Sequence, residues 1–294
     1  MLLRIIEILF PMFMVVLAGY ICARRTSIDM APINKLNLDY FVPALVFASL
    51  VNMPLGSKQV NLITASVIAV ILPGLLIAML CRFYHWNVKV WVPPHMFRNS
   101  GNLAIPLFVY TFGEIAKSDA VLLMIVATCI QFTLGIVIIS GINKQGIKQL
   151  LTMPIMYATV IALVLNLSDV TIWAPVWEAA NLLGESAIPL MLFSLGSQLI
   201  YVNRSGVKIG LVSTATSLLS GAITFTVIYL WVPLTQLQLQ MMVFFTMLPP
   251  AVMNYLLAER YQLNAATVAS MVLYGNLLSV LSMPLLLWFA LTIL

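Results

Sequence analysis

The sequence predicts an all-α polytopic membrane protein, with ten transmembrane helices arranged as two inverted five-helix repeats and broken crossover helices at spans 4 and 9. Three observations predict it. Of 294 residues, 62% are hydrophobic and 8% charged, where a soluble domain is roughly a quarter charged. Apolar runs of about 20 residues, each long enough to cross a bilayer, recur from end to end. An acid, a proline and an aromatic also recur at constant spacing: Asp39, Pro43 and Phe47 match Glu185, Pro189 and Phe193 at an offset of 146.

The spans follow in order at about residues 2–23, 33–52, 60–81, 92–112, 119–142, 150–167, 177–200, 208–232, 238–258 and 265–292. The first is followed, not preceded, by Arg24 and Arg25, the wrong order for a cleaved signal peptide, and is kept as a span. Glu7, one turn after Arg4, reads as its i,i+3 partner near the outer surface. The short loop Asn143 to Gln149 joins the halves. The expected division is residues 1–142, a linker at 143–149, and residues 150–294.

Charge sets the orientation. Loops after odd-numbered spans carry Arg24, Arg25, Lys35, Arg82, Lys89, Lys144, Lys148, Arg204, Lys208 and Arg260. The opposite side carries Arg4, Lys58 and Lys117. By the positive-inside rule both termini face away from the cytoplasm. The net charge of +5 is scattered through short loops and does not point to nucleic acid. No loop is long enough for a soluble catalytic or nucleic-acid-binding module. An odd number of spans per repeat makes the second repeat enter from the opposite side, and paired interrupted helices in inverted repeats are a transporter design with a midplane site.

The two breaks carry the chemistry. Span 4 reads Arg98-Asn99-Ser100-Gly101-Asn102 and then Pro106. Span 9 reads Pro249-Pro250 and then Asn254. Proline removes an N–H and crowds the preceding turn. Irregular backbone at membrane depth is tolerated only where protein or a watery cavity covers it. At a similar offset Gly101-Asn102 falls opposite Pro249-Pro250. A half-helix starting there aims its positive end at an anion; the bland reading is a pair of proline kinks packed by neighbours. Arg98 is open to three readings: a fork for a substrate carboxylate, a side chain snorkelling to the surface, or a partner of Asp39. Asp39 and Glu185 are candidates for ion or proton coupling, since a buried carboxylate holds a proton more readily. They are equally candidates for bonding freed backbone beside Pro43 and Pro189.

Other residues read as packing or anchors. Cys22, Cys81 and Cys129 lack metal spacing and read as small core residues. His95 is too isolated for a metal site, and His85 sits in a basic loop. Trp173, Trp177 and Glu178 look interfacial.

The chain resembles the auxin efflux carrier family of membrane transporters in its bacterial branch, which includes malonate and other organic-acid permeases. Its distant relatives include bile-acid sodium symporters. The resemblance runs the whole length: Leu9 to Tyr20 in the opening helix, Asn34 to Leu38 and Pro43 to Phe47 in the second, and Asn99 to Asn102 with Pro106 in the fourth. In the ninth it is carried by Gln240 to Met242, Leu248-Pro249-Pro250-Ala251, and Ala258 to Tyr261. Ala104 departs from a common family glycine, so the tight crossing and the pocket beside it are expected to be less open there. The resemblance implies a scaffold of spans 1, 2, 6 and 7 and a mobile bundle of spans 3–5 and 8–10. The bundle moves like an elevator, and the scaffold offers a surface for a homodimer.

The expected function is therefore secondary or facilitated transport of a small organic anion, a mono- or dicarboxylate, across a bacterial inner membrane. Asn99, Ser100, Gly101, Asn102, Pro249, Pro250 and Asn254 form the expected site, with Arg98 as charge partner. No Walker-type Gly-Lys-Ser/Thr loop is present, so the driving force is a gradient, with H+ or Na+ as coupling ion and no cofactor or metal. The alternatives are a sensor or channel that binds the anion without coupled transport, and an intramembrane enzyme, which two histidines equip poorly.

Overall fold

The computed structural model describes residues 2–26, 29–141, 148, 150–168, 170–201 and 206–292. The fold is helical, and among these residues extended pairing is limited to one isolated bridge. Helix α1 is Leu2–Arg25, α2 Met30–Leu36 and α3 Val42–Leu50, with a π-turn at Asn37–Phe41 between the last two. Helix α4 is Ser57–Tyr84, α5 Val88–Met96 and α6 Ile105–Phe112, the last preceded by a π-turn at Ser100–Ala104. Helix α7 is Lys117–Ile130, continued through a third π-turn, Gln131–Gly135, into α8, Ile136–Ser140. Then come α9 Pro154–Leu167, α10 Ala174–Gln198, α11 Val207–Trp231, α12 Gln236–Met247, α13 Met253–Arg260 and α14 Ala265–Thr292.

Six helical stretches among the described residues are long and apolar enough to cross a membrane: Ile5–Arg25, Ser57–Tyr84, Glu114–Ser140, Ala174–Tyr201, Val207–Trp231 and Ala265–Thr292. The remaining expected spans are shorter or interrupted. Residues 33–52 hold the end of α2, a π-turn and α3. Residues 92–112 and 238–258 are each two helices with extended backbone between, and 150–167 yields the 14-residue α9. Proline accounts for much of this. Pro154 sits in the first turn of α9 after extended backbone, where a missing N–H has no helical acceptor to lose, while Pro43 and Pro106 open α3 and α6 directly after a π-turn. Pro249 and Pro250 cannot extend α12. Of the linker expected at 143–149 only Lys148 is described; Arg204 and the Arg4 side chain also lie outside the described residues.

Helix ends are set by short polar residues. Asp29 accepts from the Ala31 N–H at 2.9 Å and Asn87 from the Lys89 N–H at 2.9 Å, capping α2 and α5. Thr235 and Gln238 form a reciprocal capping box at α12. Trp86 stacks on Trp91 at 3.9 Å between centroids, fixing how the chain turns from α4 into α5.

The densest helix packing falls into two groups that also meet, α3 on α7 and α1 on α6 and α14. In one, α10 lies along α1 and α3, and α9 lies along α3. In the other, α4 packs on α5, α7 and α11, while α11 and α14 pack on each other and on α12. Small residues allow the tightest crossings, as in membrane helix pairs generally. At Gly19 an added Cβ would strike the Phe193 backbone, and at Gly196 it would strike the Val16 backbone.

Gly196→Ala should therefore lower stability by about 1–3 kcal/mol, the usual range for overpacking, since backbone on the facing helix cannot swing aside. Gly56→Ala is the control, with its nearest atom 3.8 Å away on a flexible Gln59 side chain. Thermal unfolding in detergent should separate the two variants; equal melting would contradict the close α1–α10 crossing.

Candidate functional site

The site begins with two chain breaks that mend each other. Helix α5 ends at Met96, and Phe97 turns extended at φ −99° and ψ 93°. Helix α12 ends at Met247, and Leu248 turns extended at φ −57° and ψ 151°. The two segments meet as an antiparallel bridge with Arg98 opposite Pro250. The Asn99 N–H donates to the Pro249 carbonyl at 2.8 Å, and the Ala251 N–H donates to the Phe97 carbonyl at 3.0 Å. Directly opposed residues in such a pair exchange no bonds when their neighbours do. Pro250 occupies that position, so its missing N–H is not needed. The sequence had placed Gly101-Asn102 opposite the prolines. The residue that faces them is Arg98, because the extended stretch falls at residues 97–99 and Ser100 already begins the π-turn leading into α6.

The remaining carbonyls are satisfied by side chains, as buried backbone demands. Asn254 Nδ2 donates to Phe97 O at 2.7 Å and to Ala251 O at 2.8 Å. Asn276, from α14, donates to Pro250 O at 3.1 Å and accepts from Asn99 Nδ2 at 2.9 Å. Arg98 is 4% exposed. Its Nη1 donates to Ser217 Oγ at 2.6 Å and Leu248 O at 2.8 Å, and its Nη2 to Ser217 O at 3.2 Å. Arg98 thus neither reaches the surface nor bonds Asp39. Its cation sits at the C-terminal end of α12, where the helix dipole favours it. Its Nε is buried without a partner, and no carboxylate pairs with it among the described residues.

A cavity of about 310 Å³ opens beside this crossing. Arg98, Asn99, Ser100, Gly101 and Asn102 line it from one break, and Ala251, Val252 and Met253 from the other. The N-terminal ends of two half-helices, the one running from Ser100 through α6 and α13, therefore face one space. The Asn102 side chain is half-buried and has no hydrogen-bond partner among the described residues. Pro249, Pro250 and Asn254 do not line the cavity; they build the wall behind it. Asp39 lines it from the other helix group, half-buried. Glu185 does not: its side chain is 51% exposed, lies 3.8 Å from Lys117 Nζ and accepts from Asn181 Nδ2 at 2.7 Å.

All three π-turns among the described residues reach this cavity, through Asn37, Ser100 and Gln131, in keeping with the tendency of π-bulges to mark functional sites. Asn37 Oδ1 and Gln131 Nε2 are buried without partners among the described residues. Sequence reasoning missed Asn37, Gln131, Ser217 and Asn276. Two left a readable trace: Gln131 is the one amide in residues 119–142 and Asn276 the one in 265–292. Ser217 is one of five Ser and Thr residues at 213–220, and nothing in the sequence singles it out. His95, fully buried, bonds Trp91 O and Thr216 Oγ1, both at 2.8 Å, as a packed core histidine does.

A family model described as membrane transport protein matches residues 4–146 and 137–287. The chain belongs to that family. It is of the auxin efflux carrier type. An uncharacterized transporter from Methanothermobacter thermautotrophicus is 25% identical over 300 residues, covering 95% of this chain and 96% of the relative. In this membrane transport protein the crossing is the structural centre, a buried polar knot in a multi-pass helical fold.

Asn276→Ala leaves Pro250 O and Asn99 Nδ2 without these partners, and Asn254→Ala removes the second donor to Phe97 O. Each should cost about 1–3 kcal/mol, as expected when a buried polar group is left unsatisfied. Asn102→Ala should stay within about 0.5 kcal/mol of the parent, as substitutions away from such features do. Detergent melting curves of the three variants check the distinction between wall and cavity residues.

Proposed function

We propose that the protein is a secondary transporter of a small organic anion, a mono- or dicarboxylate, that binds in the cavity at the crossing. The observation that carries this reading is electrostatic. Two half-helix N-terminal ends open on one buried space, and the Arg98 cation behind them has no carboxylate partner among the described residues. Helix N-termini present free N–H groups and a partial positive charge to an anion. The direct contacts in this reading are Ser100, Gly101 and Asn102, with Asn99 and Arg98 contributing from the wall. Pro249, Pro250 and Asn254 hold the shape. Asp39 faces the same space and is the candidate carrier of a coupling H+ or Na+. Glu185 lies outside the cavity and has no part in that coupling.

The architecture proposed with it has ten spans, two inverted repeats at 1–142 and 150–294, and spans 4 and 9 as the broken pair. The helix packing supports a scaffold of α1–α3, α9 and α10 and a moving bundle of the rest. The glycine contacts support it too. Wherever a glycine among the described residues brings two helices closer than a Cβ permits, both belong to one group: Gly19 and Gly196 join α1 to α10, Gly184 joins α10 to α3, and Gly221 and Gly275 lie within the bundle. With both termini outside a bacterial inner membrane, the basic loops face the cytoplasm. Asn34 and Gln198 line both the cavity and a vestibule of about 510 Å³ beside Thr26 and Asp29, which supports access from that side. A homodimer through the scaffold completes the proposal.

Vesicles containing the purified protein should accumulate or release at least one of a panel of mono- and dicarboxylates, malonate among them, under a pH or sodium gradient. Flux of none would overturn the reading. The transported acid should also raise the melting temperature, since a ligand that binds the folded state stabilises it. Asn102→Ala should abolish that shift while leaving the unliganded melt unchanged. A shift that persists in Asn102→Ala would move the site elsewhere.

A further inference from the structure

The polar contacts that cross between the two helix groups concentrate at the N-terminal turn of α7, on the side of the molecule opposite the vestibule. Ser118 Oγ donates to Ser49 O at 2.9 Å, from α7 to α3. Lys117 Nζ lies 3.4 Å from Asn181 Oδ1 and 3.8 Å from Glu185 Oε1, both on α10. Its third partner, Glu114 Oε2 at 3.0 Å, belongs to the same group as Lys117 itself. The Lys117 side chain is 8% exposed. An ammonium buried to that degree is strongly destabilised if its partner is removed.

A sliding bundle must therefore bring Lys117 to another acceptor. Helix α10 supplies one in line. Glu178, Asn181 and Glu185 are spaced by three and four residues, so they share one helix face. Glu178 is exposed and has no ion-pair partner among the described residues. It lies two turns beyond Glu185, which at 1.5 Å per residue is about 10 Å along the axis. The residues beside this stripe, Ala179, Ala180, Leu182 and Leu183, offer no acceptor.

We propose that Lys117 is a latch that steps along the Glu178–Asn181–Glu185 stripe, pairing with Glu185 when the cavity opens to the vestibule side and with Glu178 when the bundle has moved to the other. This rests on the transporter reading above. Glu114 travels with Lys117, so the ammonium keeps one carboxylate while it exchanges the other, and Asn181 accepts it midway. Elements that ratchet by whole helical turns between discrete packed positions are an established form of conformational switching. The stripe gives the movement two defined stops and a direction along α10.

The test is double-cysteine trapping in membranes, with Cys22, Cys81 and Cys129 replaced by serine. Lys117→Cys is combined with Glu185→Cys or with Glu178→Cys and treated with a short bifunctional methanethiosulfonate. Both pairs should be trapped within one molecule, the 117–185 pair faster, and each trapped form should lose at least tenfold of its flux until reduced. Absence of the 117–178 product after prolonged treatment overturns the latch, whatever the flux. A 117–178 product in a protein that carries no tested acid upholds the latch and counts against the transport reading. Charge exchange provides a second measure that retains the pairing. Lys117→Glu alone should lose flux at least tenfold, and Lys117→Glu with both Glu178→Lys and Glu185→Lys should recover more of it than Lys117→Glu with Glu185→Lys. Equal recovery in the last two would overturn a role for Glu178.

Discussion

Unsatisfied backbone is the constraint on which this structure depends. Where α5 and α12 stop, several carbonyls and N–H groups lose their helical partners in a region that offers little water. The chain answers with an antiparallel bridge of two backbone bonds and with three side chains, Arg98, Asn254 and Asn276, that donate to the carbonyls left over. Ser100 N–H and Ala104 N–H serve Arg98 O and Asn99 O. Every carbonyl from Phe97 to Asn99 and from Leu248 to Ala251 has a donor. Two adjacent prolines are tolerable because the bridge asks only for their carbonyls.

That solution also decides the electrostatics. Arg98 is placed where the C-terminal dipole of α12 stabilises a cation, so the crossing holds a positive charge without a carboxylate to cancel it among the described residues. The second halves of the same broken helices, beginning at Ser100 and at Val252, turn their N-terminal groups to the cavity. A charge arrangement with a structural origin thus gives the cavity wall a positive character. The field of Arg98 extends beyond its own hydrogen bonds, because a buried charge is weakly screened.

The helical class, the two breaks and their polar content were legible in the sequence because each depends on local features: apolar run length, proline, and amides inside apolar runs. The register of the crossing was not. Repeat spacing matched Gly101-Asn102 to the prolines, but which residues of two broken helices face each other depends on where each helix stops. Phe97 has already left the helix before the polar stretch from Arg98 to Asn102 begins, and Ser100 is in the π-turn. The division of labour among polar residues was equally hidden. Asn99, Asn102 and Asn254 look alike in sequence, yet Asn254 is committed to Phe97 O, Asn99 to Asn276, and only Asn102 is uncommitted. Those assignments need partners 157 and 177 residues away, which no local pattern encodes. Glu185, matched to Asp39 by the repeat, sits instead in an ion pair with Lys117.

The same contrast separates what holds each helix group together from what holds the groups to one another. Within a group, backbone meets backbone across glycine, as at Gly19 and Gly196, and such contacts admit no sliding because the facing ridge has a single groove of the right depth. Between groups, the polar contacts at α7 are side-chain contacts: a hydroxyl on a carbonyl, and an ammonium on an amide and a carboxylate. Flexible side chains can exchange acceptors over a helical turn at little cost in packing. An interface built this way joins the groups through exchangeable side chains, whereas the bonds of the crossing all lie inside one of them.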